Sequence, residues 1–403
     1  MVRRARGGIA SVRRSRAGGG RLSAARALGR LLLDGRLVAG CVEWNGERIR
    51  AVRTDLAAEE LARAQAGPLI APGLIDLHVH GYGGSDPIEQ LPEMARALAR
   101  HGTTAFQPTL FPAAPAEFGA LAERVTASAA RLDDGARVVG LHLEGPFVNP
   151  ASAGALPLAA LAAPSPAALR ELLGPAGGSG RGIRTITLAP ELPHALELVA
   201  ELARCGIRAS LGHSLATADE ARAAAKAGAS GATHLYNAMR PFHHREAGLV
   251  GFALSADALY AELIGDLVHV GRDAIDLALA ARGPRAICLV SDALRGAGTG
   301  CERFHSHGRE HIAQGGAFFY AGEPPKLAGS ALGQLEQVQK LVARGVVGIE
   351  DALTMASLAP ALALGIEREC GQLAVGARAD LIALRGPELA LEAVWIGGHP
   401  QAL

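Results

Sequence analysis

The sequence predicts an α/β protein: a (β/α)8 TIM barrel carrying a small β-sandwich module built from both chain ends. Three observations lead there. From residue 71 onward, eight short apolar runs alternate with Ala/Leu/Arg-rich segments of helical period, the pattern of a parallel sheet. Histidines and carboxylates gather where several of those runs end, on the rim where barrel active sites are built. Residues 30–70 and 372–403 read differently, as short alternating strands and turns.

Residues 1–29 form an Arg-rich extension. Nine arginines fall within the first 30 positions and no acidic residue precedes Asp34. That composition resembles an organellar transit peptide, but the expected reading is a disordered or over-extended N-terminus. Residues 30–70 supply the first half of the small module, with strands around the turn Asn45-Gly46. The barrel is assigned to 71–371. Its strands are expected at 74–81, 103–110, 138–146, 183–191, 207–214, 232–239, 262–270 and 286–293. Helices are expected between them, for example at 92–100, 193–204 and 217–227, the last opening with a capping box of Thr217 and Glu220. The Gly/Pro-rich stretch 174–182 reads as a surface loop before the fourth strand, and 372–403 completes the small module.

Composition limits the partners. A chain of 403 residues with 49% apolar and 20% charged residues can bury a large core, and its net charge of +1 gives no general attraction to nucleic acid or membrane. A small molecule is the expected ligand. The five scattered cysteines contain no C-x-x-C pair, so neither a disulfide scaffold nor a zinc ribbon is indicated and a reducing cytoplasm fits. No apolar run reaches the ~18 residues a membrane helix needs.

The chemistry is carried by His78, His80, Glu144, His213, His234 and Asp292, all near the ends of expected strands one, three, five, six and eight. Each alone has an ordinary explanation, such as a hydrogen-bonded histidine or a helix cap. Together they are hard to bury unless they pair or bind metal. His78 and His80 are two apart on a strand, so both project to one side and can converge on one ion. Imidazole nitrogen with a carboxylate oxygen suits a divalent metal such as Zn2+, with Glu144 as the carboxylate and an open position for water.

The run Pro72-Gly73-Leu74-Ile75-Asp76-Leu77-His78-Val79-His80-Gly81 resembles the first-strand motif of the amidohydrolase superfamily. His142-Leu143-Glu144-Gly145-Pro146-Phe147, Gly212-His213-Ser214 and Thr233-His234-Leu235-Tyr236-Asn237-Ala238-Met239 resemble the N-acetylglucosamine-6-phosphate deacetylase family specifically. Further similarity lies in Val290-Ser291-Asp292-Ala293, Leu327-Ala328-Gly329-Ser330 and Gly376-Ala377-Arg378-Ala379-Asp380-Leu381.

The resemblance implies a main metal on Glu144, His213 and His234, a second ion completed by His78 and His80, and Asp292 as the catalytic carboxylate. One or two ions are implied, Zn2+ first, with Fe2+, Mn2+ or Co2+ as alternatives. The resemblance also implies substrate contacts at Asn237, Ala238 and Leu327, phosphate contacts at Arg245 and His269, and a homodimer in which the Arg reaches across the interface. The substrate would be a phosphorylated N-acetyl amino sugar, with N-acetylglucosamine 6-phosphate giving glucosamine 6-phosphate and acetate. Two readings stay open beside it: an amidohydrolase for another N-acyl amino sugar or N-acyl amino acid, and an inactive metal-retaining ligand sensor.

Two departures from the family pattern stand out. A Gly-x-His run that contacts the acyl group is replaced by Gly154-Ala155-Leu156, and an Asp-Gly before the phosphate-side histidine is replaced by Asp266-Leu267. His305, His307 and His311 lie in an atypical loop and offer a replacement imidazole.

Overall fold

The computed structural model describes residues 25–306, 308–322 and 325–403. The Arg-rich segment therefore lies outside the described residues up to position 24. From Ala25, five residues inside the extension expected from sequence, the chain is already in a strand, Ala25–Leu33.

The barrel strands run Leu74–Val79, Thr103–Leu110, Leu141–Glu144, Ile183–Leu188, Arg208–Leu211, Gly231–Ala232, Tyr260–Ile264 and Ile287–Val290, each parallel to its neighbour. The ring is closed by a parallel bridge between Val79 and Ala293, where the Asp292 N–H donates to the His78 carbonyl at 2.8 Å. All eight residues of Thr103–Leu110 are buried, as a strand with a filled barrel on one face and helices on the other requires. The helices are amphipathic in the matching sense. In Leu91–Arg100 the buried set is Leu91, Met94, Ala95, Leu98 and Ala99, one stripe facing the sheet. The helix Ala218–Ala227 opens with the expected capping box: the Glu220 N–H donates to Thr217 Oγ1 and the Thr217 N–H to Glu220 Oε2.

Both chain ends meet in one seven-stranded sheet, with Leu381–Arg385 antiparallel to Leu69–Pro72, which itself pairs with Ala25–Leu33. The sheet curls over its own core as a small β-sandwich. Trp44 packs edge-on against Trp395 with ring centroids 5.6 Å apart, and the Ile49 N–H donates to the Ala377 carbonyl at 2.9 Å. A helix, Ala58–Gln65, interrupts the strands of the first half.

Two features differ from the sequence expectation. Strand six pairs only over Gly231–Ala232, because His234, Tyr236 and Ala238 adopt positive φ and turn the chain away from the ladder. The region around His305 and His311 is no loop. Arg303–Ser306, Arg309–Gln314, Ala317–Tyr320 and Lys326–Ser330 form a four-stranded antiparallel sheet, joined to the barrel by a bridge between Ser330 and Ala293.

Candidate active site

The strand ends deliver the six polar residues to one place. His78 lies on strand one and His80 follows it, while Glu144 ends strand three. His213, His234 and Asp292 each sit two residues past a strand with φ of 47°, 31° and 49°. Left-handed backbone at a non-glycine residue costs about 1–3 kcal/mol and concentrates at functional sites. Here it is held by surrounding hydrogen bonds: the Asn149 N–H donates to the His213 carbonyl, and the Ser330 N–H to the Asp292 carbonyl at 2.8 Å. All six side chains are buried. Gly154 also lies against the site, where a Cβ would come within 3.3 Å of the His213 ring.

Glu144 is the common point. Its Oε1 is 3.0 Å from His213 Nε2, 3.1 Å from His234 Nε2 and 3.5 Å from His78 Nε2, while Oε2 is 3.3 Å from His80 Nε2. Asp292 Oδ1 stands 3.4 Å from His80 Nε2 and 3.5 Å from His78 Nε2. Two triads, His78/His80/Glu144 and Glu144/His213/His234, each bring three ligand atoms within 4.8 Å of one another.

Proton accounting tests whether these groups fit a cation. His213 Nδ1 is 3.0 Å from the Ser152 carbonyl, an acceptor only, so Nδ1 carries the hydrogen and Nε2 is left to ligate. His78 Nδ1 likewise faces Glu262 Oε2 at 3.1 Å. Burial works against a charged Glu262, but the His78 hydrogen bond and the Arg208 charge outweigh it and hold its carboxyl at about 2, so it accepts. The Nε2 atoms then crowd one another and the carboxylate oxygens, His213 to His234 at 3.0 Å and His78 to His80 at 3.2 Å, while Nδ1 of His80 and of His234 has no hydrogen-bond partner. Such an arrangement repels itself unless protons or cations lie between, so the donor set fits divalent metal. The local field points the same way. Burial disfavours a positive His80, yet Asp292 and Glu144 raise its imidazolium to about 9. Burial also opposes ionised Glu144 and Asp292, but the surrounding imidazoles keep both carboxyls below their usual range.

Beneath the rim lies a buried polar layer that motif reading left out. Glu262 sits between His78 and Arg208, whose Nη1 is 3.6 Å from Glu262 Oε1. His142 bonds the Leu77 carbonyl and Thr187 Oγ1, and burial holds it neutral, its pKa lowered to about 3. Asp76 Oδ1 accepts from the Ser291 and His78 N–H groups, tying strand one to strand eight. The signal was available in alternation: Asp76 and His142 lie two residues before His78 and Glu144, on the same inward face. Glu262 shows as a carboxylate inside an apolar strand, Tyr-Ala-Glu-Leu-Ile.

A cavity of about 280 Å3 opens above this cluster, walled by Leu156, Asn237, Ala238, His269, Lys326 and Leu327. Four of the expected substrate residues are therefore brought together, and Lys326 was not anticipated. His269 is set by a 2.6 Å hydrogen bond from Nδ1 to Asp266 Oδ2. Arg245 is not brought there. It is exposed on the segment after Met239, with Nη1 3.0 Å from His244 Nε2. Leu156 is packed against Val148, Ala153 and Phe111, so an apolar contact occupies the position of the expected imidazole. Leu267 keeps a φ of 59°, the glycine-type conformation, despite its side chain. Of the three histidines considered as replacements, His305 is exposed, His307 lies outside the described residues, and His311 is buried, stacked on Phe304 at 4.4 Å.

The profile of the amidohydrolase family matches residues 69–400. Among curated proteins, N-acetylglucosamine-6-phosphate deacetylase of Lysinibacillus sphaericus is 34% identical over 322 residues, 79% of this chain and 81% of that protein. N-acetylgalactosamine-6-phosphate deacetylase of Escherichia coli O157:H7 is 36% identical over 335 residues, 82% of this chain and 87% of that protein. Among solved structures, a mutant N-acetyl-D-glucosamine-6-phosphate deacetylase from Mycobacterium smegmatis in complex with N-acetyl-D-glucosamine-6-phosphate superposes with a TM-score of 0.83 at 29% identity, covering 94% of this chain and 99% of that one.

Proposed function

The chain belongs to the N-acetylglucosamine-6-phosphate deacetylase family of amidohydrolases, and from that premise we propose that it hydrolyses the acetamide of N-acetylglucosamine 6-phosphate to glucosamine 6-phosphate and acetate. The observation that carries this reading is the convergence of four imidazoles on Glu144 with Asp292 alongside. Glu144, His213 and His234 would hold the main ion, and His78 and His80 with Glu144 a second, Zn2+ being favoured by the nitrogen-rich donor set. A divalent cation, when bound there, polarises the acyl oxygen and lowers the pKa of water towards ~7.

Asp292, kept ionised by His80 and His78, accepts the proton of the attacking water and then donates it to the leaving amine. His269, with Lys326 on the same cavity wall, supplies positive or donor groups for a 6-phosphate, and Asn237 and Ala238 face the sugar. Arg245 is exposed and does not line its own cavity, so we assign it to the neighbouring subunit of a homodimer. Among the described residues no helix is long and apolar enough to cross a membrane. All five cysteines are free thiols, which suits a cytoplasmic enzyme.

The C4 epimer is a second reading, supported by the N-acetylgalactosamine-6-phosphate deacetylase at 36% identity. Elemental analysis paired with acetate release on both 6-phosphates and both free sugars tests the proposal. Wild type should carry one or two divalent ions and prefer a phosphorylated substrate, and Glu144→Gln should lose metal and activity together. A metal-free, fully active wild type, or equal efficiency on free and phosphorylated sugars, would remove this reading.

A further inference from the structure

A second cavity, of about 70 Å3, adjoins the first. The two share His80, Phe111 and Ala155, while His213, His234, Asn237 and His269 line the larger one alone. The smaller cavity therefore borders the catalytic end, on the side of His80. Phe111, Leu294, Phe304 and Tyr320 give it apolar and aromatic walls, and Asp86, Arg295 and Arg309 also line it. Phe111 lies flat on the His80 ring, centroids 4.0 Å apart and 5° from parallel. The outer wall is the four-stranded sheet, and it is fixed to the site: Tyr320 Oη donates to the Ala155 carbonyl at 3.2 Å, and the Arg309 guanidinium lies 4.6 Å over the Tyr320 ring.

An amide bound at the reacting centre has an amine side and an acyl side. With the sugar phosphate in the larger cavity, towards His269, and the acetyl group beside Leu156 in that same cavity, a longer acyl chain is directed past Ala155 and Phe111 towards the smaller one. A single water-sized occupant needs ~10–15 Å3, so this space exceeds what an acetyl methyl fills.

We propose that this cavity is an acyl subsite, and that the enzyme hydrolyses amino-sugar phosphates bearing N-acyl groups of three or four carbons as well as acetyl. The inference rests on the deacylase reading above. The chemistry is unchanged: water adds its oxygen to the acyl carbon, the C–N bond breaks, the nitrogen leaves as the amine with the transferred proton, and the acyl group leaves as its carboxylate.

The test is kcat/KM on N-acetyl-, N-propionyl- and N-butyryl-glucosamine 6-phosphate, with wild type and with Ser306→Trp. Ser306 lines the smaller cavity and not the larger, and lies at the end of the strand Arg303–Ser306. Each methylene that enters an apolar subsite raises efficiency by up to about fourfold, so propionyl and butyryl substrates are expected to match or exceed acetyl. A site closed around acetyl instead loses about tenfold or more per added methylene, and that result in wild type overturns the inference. Ser306→Trp should cut butyryl turnover by about tenfold, the scale of one misfitted methylene in a filled pocket, and leave the acetyl rate nearly intact. Equal losses on both substrates would overturn the placement. If the variant does not fold, the wild-type series decides alone. Activity on acetyl only defeats this inference and leaves the deacetylase reading standing, whereas inactivity on all three substrates defeats both.

Discussion

Asp292 and Glu262 are both buried carboxylates beside His78, and their surroundings give them different work. Asp292 faces the open side of the cluster, 3.4 Å from His80, where it can exchange a proton with a reacting molecule. Asp292→Asn keeps the shape and removes the base, so turnover should fall at least ~100-fold while circular dichroism stays native. Near-normal acetate release would take Asp292 out of the reaction. Glu262 faces inward and touches no substrate space; its part is to fix the His78 ring. Glu262→Gln should weaken metal binding by ~10- to 100-fold, the usual effect of losing a partner behind a ligand, read by competition with a chelator. Unchanged affinity would make Glu262 a purely structural charge. The rim residues were legible in sequence because strand alternation and strand ends place them without knowledge of packing. Arg208 was not, because its partner Glu262 lies 54 positions on and meets it only across the closed barrel.

The strands themselves were legible wherever apolar runs coincide with ladder pairing. The region 103–110 is expected and observed without change. Strand six was overextended because Thr233 to Met239 has strand composition but turn backbone, and positive φ is not visible in residue type when the residues are His, Tyr and Ala. The four-stranded sheet went unseen for a related reason: its strands are four to six residues long, and they mix charged runs such as Arg309–Gln314 with the unbroken apolar and aromatic run Ala317–Tyr320, so no common period-2 pattern emerges. Its attachment to the site through the Tyr320 hydroxyl can be measured. Tyr320→Phe should destabilise the protein by ~0.5–1.5 kcal/mol in denaturant unfolding, the net worth of one hydrogen bond. No change would mean the hydroxyl adds nothing to the sheet's other attachments, among them the Ser330–Ala293 bridge and the Lys340 bond to the Gly315 carbonyl.

At the scale of the whole molecule, the exposed Arg245 carries the largest claim. If it completes the phosphate site of a neighbouring subunit, Arg245→Ala should lower kcat/KM for the phosphorylated sugar by roughly 10- to 150-fold, a charge-assisted contact of ~1.5–3 kcal/mol. The free sugar should be unaffected, and wild-type activity per subunit should fall on dilution below the dimer dissociation constant. Selective loss with no concentration dependence would return Arg245 to its own chain. The barrel and the joining of both chain ends were legible from element order, but an interface between copies leaves no such pattern in a single sequence.

The seam that closes the barrel has a consequence for folding. Strands one and eight are joined by the Val79–Ala293 bridge and by Asp76 reaching Ser291 across 215 positions, so this is among the most entropically demanding closures in the ring. His78 and His80 stand on one side of that seam and Asp292 on the other, with Glu144 a quarter-turn away. A cation held by His78, His80 and Glu144 would therefore also be a fastener. It would tie strand one, at the seam, to strand three, and by binding only the assembled ring it would stabilise the closed barrel.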